Sequence, residues 1–532
     1  MNPLPPRPSA LSSGGMVSSS HPAASFAGAR VLAEGGNAVD ATLAMAAITW
    51  LTLPGQCGPG GDAFAVVREP DGRVWTVGGS GYGPDGATPE FYRERGLSSI
   101  PLDGALAVAV PGAPAALAAL HAHGATIALT DLWEPAARLA ETGLPCSAKT
   151  ASDVRTEVEA LRADPATAAN FLPASAPPHV GDLMRQADLA RTIRRLSRDP
   201  GGFYTGEFAE RAVAALRAGG APFSGDEWAA TADATPAPSV TGSYAGATVH
   251  QTPLPTPGWM VLQQAALCDG VVGFLPWLSA EAIDRLARAA RMSFADRFAW
   301  CGSDTGGALE VLDPQRIERQ RAELESGRMP VFSVRAGDTT STVAVDADGR
   351  AVSFIHSLAL TFGARFTVPG TGVVLNNRLG RGAYLIDGHP NAVAPRRKPL
   401  HTLNAWIVTD GDRGELLHVG NTPGGDGQVQ WNMQLLSHLL DHGLDPQEAV
   451  AAPRFTVFPG SDADVVGLPD ELRVETTIAE PIRDALRTRG HTVVAQPAYG
   501  AGGSAQVISR SPRGVLHGGA DPRQEGVAIG VD

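Results

Sequence analysis

Only four cysteines, Cys57, Cys146, Cys268 and Cys301, occur in 532 residues, far apart and without a CxxC pair. Neither a zinc cage nor a disulfide framework is suggested, and a reducing compartment fits best. Basic clusters are also scarce. The formal net charge is -13, and no Lys/Arg run offers the phosphate-binding surface that a nucleic-acid partner requires. The short stretch Arg396, Arg397, Lys398 reads as a solvated loop that could contact an anion. No apolar run reaches the ~18 residues of a membrane span, and the Pro- and Ser-rich N-terminus lacks the apolar core of a signal peptide. These absences lead to the expectation of a cytoplasmic protein with neither membrane nor nucleic acid as partner.

What is present is globular: 43% of residues are hydrophobic and 18% charged, enough for two ordinary domains or one large layered one. Ala- and Leu-rich periodicity predicts helices over 23–33, 38–51, 113–123, 132–142, 151–161, 189–197, 207–218 and 429–442, punctuated by Gly and Pro. Residues 164–179, rich in Ala, Pro and Ser, read as an exposed loop. The texture changes at Val331. Alternation over 339–345, an Asp-Gly turn at 346–349 and a β-branched run over 351–360 predict a hairpin, and 403–408 with 415–419 predict a second. Strand pairs flanked by helices suggest stacked sheets between helical layers, an α/β (α+β layered) architecture.

The chemistry centres on Thr339, which opens the first predicted strand after Gly337-Asp338. A threonine hydroxyl is a poor nucleophile unless a base removes its proton. An N-terminal threonine carries that base itself, because an α-amine with a pKa near ~8 can take the hydroxyl proton directly or through water. Such an amine exists only after the Asp338–Thr339 peptide bond is broken. Taken alone, a strand-opening Thr is more often a structural β-branched residue.

Several motifs change that weighting. Gly15-Met16-Val17 through His21-Pro22, then Glu34-Gly35-Gly36-Asn37-Ala38-Val39-Asp40-Ala41, Gly58-Pro59-Gly60-Gly61, Val110-Pro111-Gly112, Trp133-Glu134-Pro135-Ala136, Phe203-Tyr204-Thr205-Gly206 and Ala520-Asp521-Pro522-Arg523 follow one another across the chain. In this order they resemble the γ-glutamyltranspeptidase family of N-terminal-nucleophile hydrolases. The resemblance implies an αββα four-layer sandwich and a large subunit, residues 1–338, intertwined with a small subunit, residues 339–532. It implies cleavage between Asp338 and Thr339, Thr339 as nucleophile with Thr340 as the neighbouring rival, and Ser357 as a second hydroxyl bonded to the nucleophile. Gly424 and Gly425, in Asn421-Thr422-Pro423-Gly424-Gly425, would supply oxyanion donors, since no Cβ blocks the backbone there. No cofactor or metal is required.

Other positions depart from the family pattern. Ser80 stands where the family's carboxylate-binding Arg is expected, Ala359 replaces an Asn, His401-Thr402 replace paired hydroxyls, and Ser341 replaces the usual His. Arg381 replaces the acidic residue that receives a substrate ammonium. An Asp-to-Arg exchange reverses the charge preference of a pocket. The expected substrate is therefore a small anionic acyl compound, oxalyl- or oxamate-like, with Arg378 or Arg381 as its clamp and Ser80, His401 and Thr402 nearby. Alternatives are a true γ-glutamyl hydrolase or transferase, a relative that cleaves a carbon-carbon bond to an oxalyl unit, and an unprocessed, non-catalytic homologue. His438 and His442, four apart on a predicted helix, lack a carboxylate partner and read as surface residues. The Gly500-to-Gly503 stretch lacks a P-loop Lys and reads as a close-packed turn.

Overall fold

A computed structural model describes residues 7–303, 310–326, 339–463 and 468–532. Asp338 lies outside the described residues. Two seven-stranded sheets form the centre. One runs Val527–Val531, Gly15–Ser19, Thr340–Val345, Ala351–Ser357, Asp62–Arg68, Val74–Gly79, Ala237–Pro238; the other runs Ala10–Ser12, Leu516–Ala520, Gln506–Arg510, Leu416–Asn421, Ala405–Asp410, Ala247–Gln251, Val240–Tyr244. Every pairing within both sheets is antiparallel.

The period-2 alternation of the strands sorts the core into layers. Phe64, Val66, Val343, Val345 and Ile355 of the first sheet meet Ala405, Ile407, Val419 and Ile508 of the second. On its other face, the first sheet turns Ala63, Ala65, Val67, Ala344, Val352 and Phe354 toward the helices Ala38–Thr52, Ala113–Gly124 and Leu129–Thr142. Trp406, Val408 and Val507 of the second sheet pack instead on Gly258–Cys268, Ala280–Trp300 and Gly427–Leu436. The outcome is the expected sandwich of helix, sheet, sheet and helix. Thr340–Val345 lies between Gly15–Ser19 and Ala351–Ser357, so the segments on either side of residue 339 share one sheet.

The opening signature does structural work. Asn37 Oδ1 accepts from the N–H groups of Val39 and Asp40, while an Asp40 carboxylate oxygen accepts from Asn37 N. This capping box starts the fully buried helix Ala38–Thr52. Two sequence expectations change. Residues 164–179 are not simply a loop, because Asp164 caps a helix over Pro165–Phe171 and Phe171 packs on Phe362 with ring centroids 4.9 Å apart. The helix expected over 151–161 is two, Ala148–Thr156 and Val158–Ala163. They part at Glu157, whose carboxylate receives Arg365.

Candidate active site

Thr339 stands immediately before the strand Thr340–Val345 and is 1% exposed. Its Oγ1 donates to Ser357 Oγ at 3.1 Å and receives the amide of Gln428 at 3.3 Å. The next residue points elsewhere, as strand alternation requires: Thr340 Oγ1 donates to Gln56 Oε1 at 2.8 Å. Ser357 ends the neighbouring strand and also accepts the N–H of Ala359 at 2.9 Å. Its approach to the Gly60-Gly61 turn leaves no room for a side chain, since a Cβ on Gly61 would lie 2.8 Å from the Ser357 carbonyl carbon and closer still to its oxygen.

Gln428 was missed by the sequence reading. It lies in the first turn of the helix Gly427–Leu436, directly after Gly424-Gly425, and its N–H is bonded to the Gly425 carbonyl at 3.0 Å. Asn404 N donates to Gln428 Oε1 at 3.1 Å, which turns the amide NH2 toward Thr339. A polar residue in the turn after the Gly-Gly pair was the available signal. Gly424 and Gly425 have φ of 131° and 56°, values for which glycine is the natural occupant. This bent backbone, followed at once by a helix N-terminus, is a site of positive potential. Ser341 is tied to Asn421.

Across the strands, Ser357 pairs with Asp62. Asp62 Oδ1 receives Gly112 N at 3.0 Å, and its Oδ2 lies 2.9 Å from His401 Nε2. Leu403 N donates to His401 Nδ1 at 3.4 Å, so Nε2 carries the proton and both ring nitrogens are committed. Burial and the Arg378 charge push the His401 pKa down to about 4, leaving a neutral ring that orients Asp62.

Both arginines are buried, but they are held differently. Arg381 Nε lies 2.7 Å from Asp462 Oδ2, and its Nη1 donates to the Ala359 carbonyl at 3.0 Å. Asp462 in turn faces Arg297, which also reaches Asp426 at 3.2 Å. Burial and the Asp462 charge push the Asp426 pKa up to about 7. Arg378 is 1% exposed, and its three guanidinium nitrogens have no hydrogen-bond partner among the described residues. Its nearest counter-charge is Asp62, 3.9 Å away, and burial, then Arg381, push its pKa down to about 10. Ser80 Oγ and Thr402 Oγ1 are likewise buried without partners among the described residues. Ser80 follows Gly79, which packs against Gly112, and Thr402 follows His401.

A model described as "Gamma-glutamyltranspeptidase" matches residues 24–531. The chain belongs to the γ-glutamyltranspeptidase family. Similar proteins include the "Glutathione hydrolase-like YwrD proenzyme" of Bacillus subtilis (strain 168), 33% identical over 97% of this chain and 98% of the relative. The "Oxamate amidohydrolase proenzyme" of Klebsiella pneumoniae subsp. pneumoniae is 31% identical over 98% and 99%. Among solved structures, a cephalosporin acylase from Bacillus halodurans superposes with a TM-score of 0.90 at 28% identity, covering 100% of this chain and 98% of that one. This γ-glutamyltranspeptidase-family chain is thus an enzyme of the N-terminal-nucleophile hydrolase type.

Not every family motif in it is catalytic. Asp521 of the closing signature pairs with Arg454 and Arg523, and Arg523 reaches Glu475 at 2.7 Å, a buried structural network. Gly503 packs against Trp431, as a close-packed turn should. His438 is buried and receives Trp277 Nε1 at 3.1 Å, correcting the surface reading. A cavity of about 560 Å³ beside Arg195, Phe208 and Thr371 contains none of the site residues. Among the described residues, no helix is long and apolar enough to cross a membrane.

Proposed function

We propose that the chain cuts itself between Asp338 and Thr339 and then hydrolyses, or transfers the acyl group of, a small anionic amide, oxalyl- or oxamate-like, in preference to glutathione. In processing, Thr339 Oγ attacks the Asp338 carbonyl carbon, and the bond to the Thr339 nitrogen breaks as an ester forms. Water then cleaves the ester, leaving an Asp338 carboxylate and a free Thr339 amine. In turnover that amine takes the hydroxyl proton as Oγ attacks the substrate carbonyl, then passes it to the leaving amine. Water or a second amine releases the acyl group. Backbone N–H groups at Gly424-Gly425, backed by the following helix N-terminus, receive the oxyanion. Ser357 and Gln428 hold the hydroxyl.

The observation that carries the substrate class is Arg378. A buried guanidinium without hydrogen-bond partners is costly, and a substrate carboxylate would complete it with charge-assisted bonds. With Arg381 replacing an acidic residue and pairing with Asp462, that position no longer offers an anion to a γ-glutamyl ammonium. The Klebsiella relative named for oxamate points the same way.

Two measurements test this reading. A denaturing gel should show fragments of about 35 and 20 kDa, in proportion to the two chain lengths, and Thr339→Ala should leave one band. Processed protein offered oxalyl and γ-glutamyl amides in parallel should prefer the oxalyl compound; preference for the γ-glutamyl amide would defeat the assignment.

A further inference from the structure

Ala359 has a φ of +87°, a conformation that is strained for a residue with a Cβ and persists only when its surroundings over-determine it. Here they do. Leu358 N is bonded to the Gln56 carbonyl, Leu360 N to Asn377 Oδ1, and Asn377 N to the Leu358 carbonyl, at 2.9, 3.1 and 3.1 Å. At the centre of the turn, the Ala359 carbonyl takes Arg381 Nη1 at 3.0 Å while its N–H goes to Ser357 Oγ at 2.9 Å. Ser357 Oγ is the group that meets Thr339 Oγ1 at 3.1 Å. A continuous path therefore runs from Asp462 through Arg381, Ala359 and Ser357 to the Thr339 hydroxyl.

We infer that Arg381 is a positioning residue for the nucleophile: it acts through the Ala359 carbonyl to hold the strained turn that aims Ser357 at Thr339, and it is not the clamp for a substrate carboxylate. The inference rests on Thr339 as nucleophile and separates the roles of the two arginines. Arg381 has its charge matched by Asp462 and one arm spent on a backbone carbonyl. Arg378 has neither. The exchange of an acidic residue for Arg381 thus has a consequence beyond charge reversal, because an aspartate could not donate to the Ala359 carbonyl.

The test is a cycle in the full-length chain. Arg381→Gln is made together with Asp462→Asn, so that no uncompensated buried charge remains, and Ala359→Gly is introduced into both this pair and the parent. Glycine adopts positive φ freely, so it should relieve what Arg381 otherwise restrains. The expected result is a kcat roughly 10- to 100-fold lower in the Arg381→Gln/Asp462→Asn chain, with KM for an oxalyl amide changed by less than about threefold. Adding Ala359→Gly should recover part of the kcat but raise the melting temperature less than it does in the parent, where Arg381 still enforces the strain. A loss confined to KM and seen only with anionic acyl groups would overturn the assignment, as would an Ala359→Gly effect equal in both backgrounds. The melting cycle is independent of turnover. A parent chain that turns over no acyl amide would therefore refute the functional reading and, with it, a positioning role, while the melting temperatures would still decide whether Arg381 enforces the strained turn.

Discussion

Gly424→Ala is the sharpest single test of how the Gly424-Gly425 turn is built and of its proposed oxyanion role. A Cβ at this position would lie 2.9 Å from Trp431 Cη2 and 3.0 Å from Cε3, with Cζ3 closer still, where carbon contacts normally settle at about 3.5–4.0 Å. Trp431 cannot easily retreat. It is fully buried, its Nε1 donates to Thr456 Oγ1 at 3.0 Å, and Gly427 and Gly503 already press on the ring. The φ of 131° adds roughly 1–2 kcal/mol for any L residue, and overpacking adds about 1–3 kcal/mol, for a total of ~2–5 kcal/mol. At about 2.1 cal/mol/K per residue, unfolding the whole chain carries an entropy near 1.1 kcal/mol/K, so the melting temperature should fall by roughly 2–5 °C. Turnover should fall much further, by about 10²–10³, if the turn supplies oxyanion donors. Calorimetry and steady-state kinetics on Gly424→Ala, Trp431→Leu and the double variant separate the contributions. In the Trp431→Leu background the steric part should vanish and only the φ part remain. A Gly424→Ala chain that melts within a degree of the parent and keeps its turnover would refute both the packing argument and the oxyanion assignment.

Other expectations follow from the same geometry. Ser357→Ala orphans the buried Ala359 N–H, costing about 1–3 kcal/mol; the melting temperature should fall and the appearance of a chain beginning at Thr339, followed by mass spectrometry, should slow. Arg378→Met should raise KM for an anionic acyl amide by at least about tenfold while leaving a neutral acyl amide almost untouched; equal losses with both would remove Arg378 from substrate recognition. Gln428→Leu removes the amide that meets Thr339 Oγ1, and kcat should drop with little change in KM. Finally, burial holds His401 near 4 and His356 near 3, against about 6.5 in an unfolded chain. Between those limits only the unfolded chain binds the proton. Stability from this source is complete above about pH 6.5 and is lost as pH falls toward 4, by on the order of 3 kcal/mol per histidine. Thermal melts across that window should show the slope, and His401→Gln should make it shallower.

Much of the local geometry around Thr339 was legible because local chemistry demands particular residues. A threonine opening a strand, glycines where φ is positive, and an Asn-to-Asp capping box all write their geometry into adjacent positions. Gln428 was nearly legible, sitting three residues beyond Gly425. Asp62 follows the Gly60-Gly61 turn directly, yet nothing local says that it will face His401 from more than 300 positions away. The helix in 165–171 was hidden by a composition shared with loops, although Asp164-Pro165 is a good helix start.

By itself, the sequence determined the family, the layered fold and the place of Thr339, because these rest on short-range patterns of polarity, turns and caps. Only the tertiary structure distinguished Arg378 from Arg381. The two are three residues apart, identical in chemistry and equally buried, and what separates them is the partner each meets: Asp462 and a strained carbonyl for one, only the carboxylate of Asp62 at 3.9 Å for the other. A charge acquires its role from the groups that long-range packing brings within a few ångströms, and those contacts are not encoded in its neighbours along the chain.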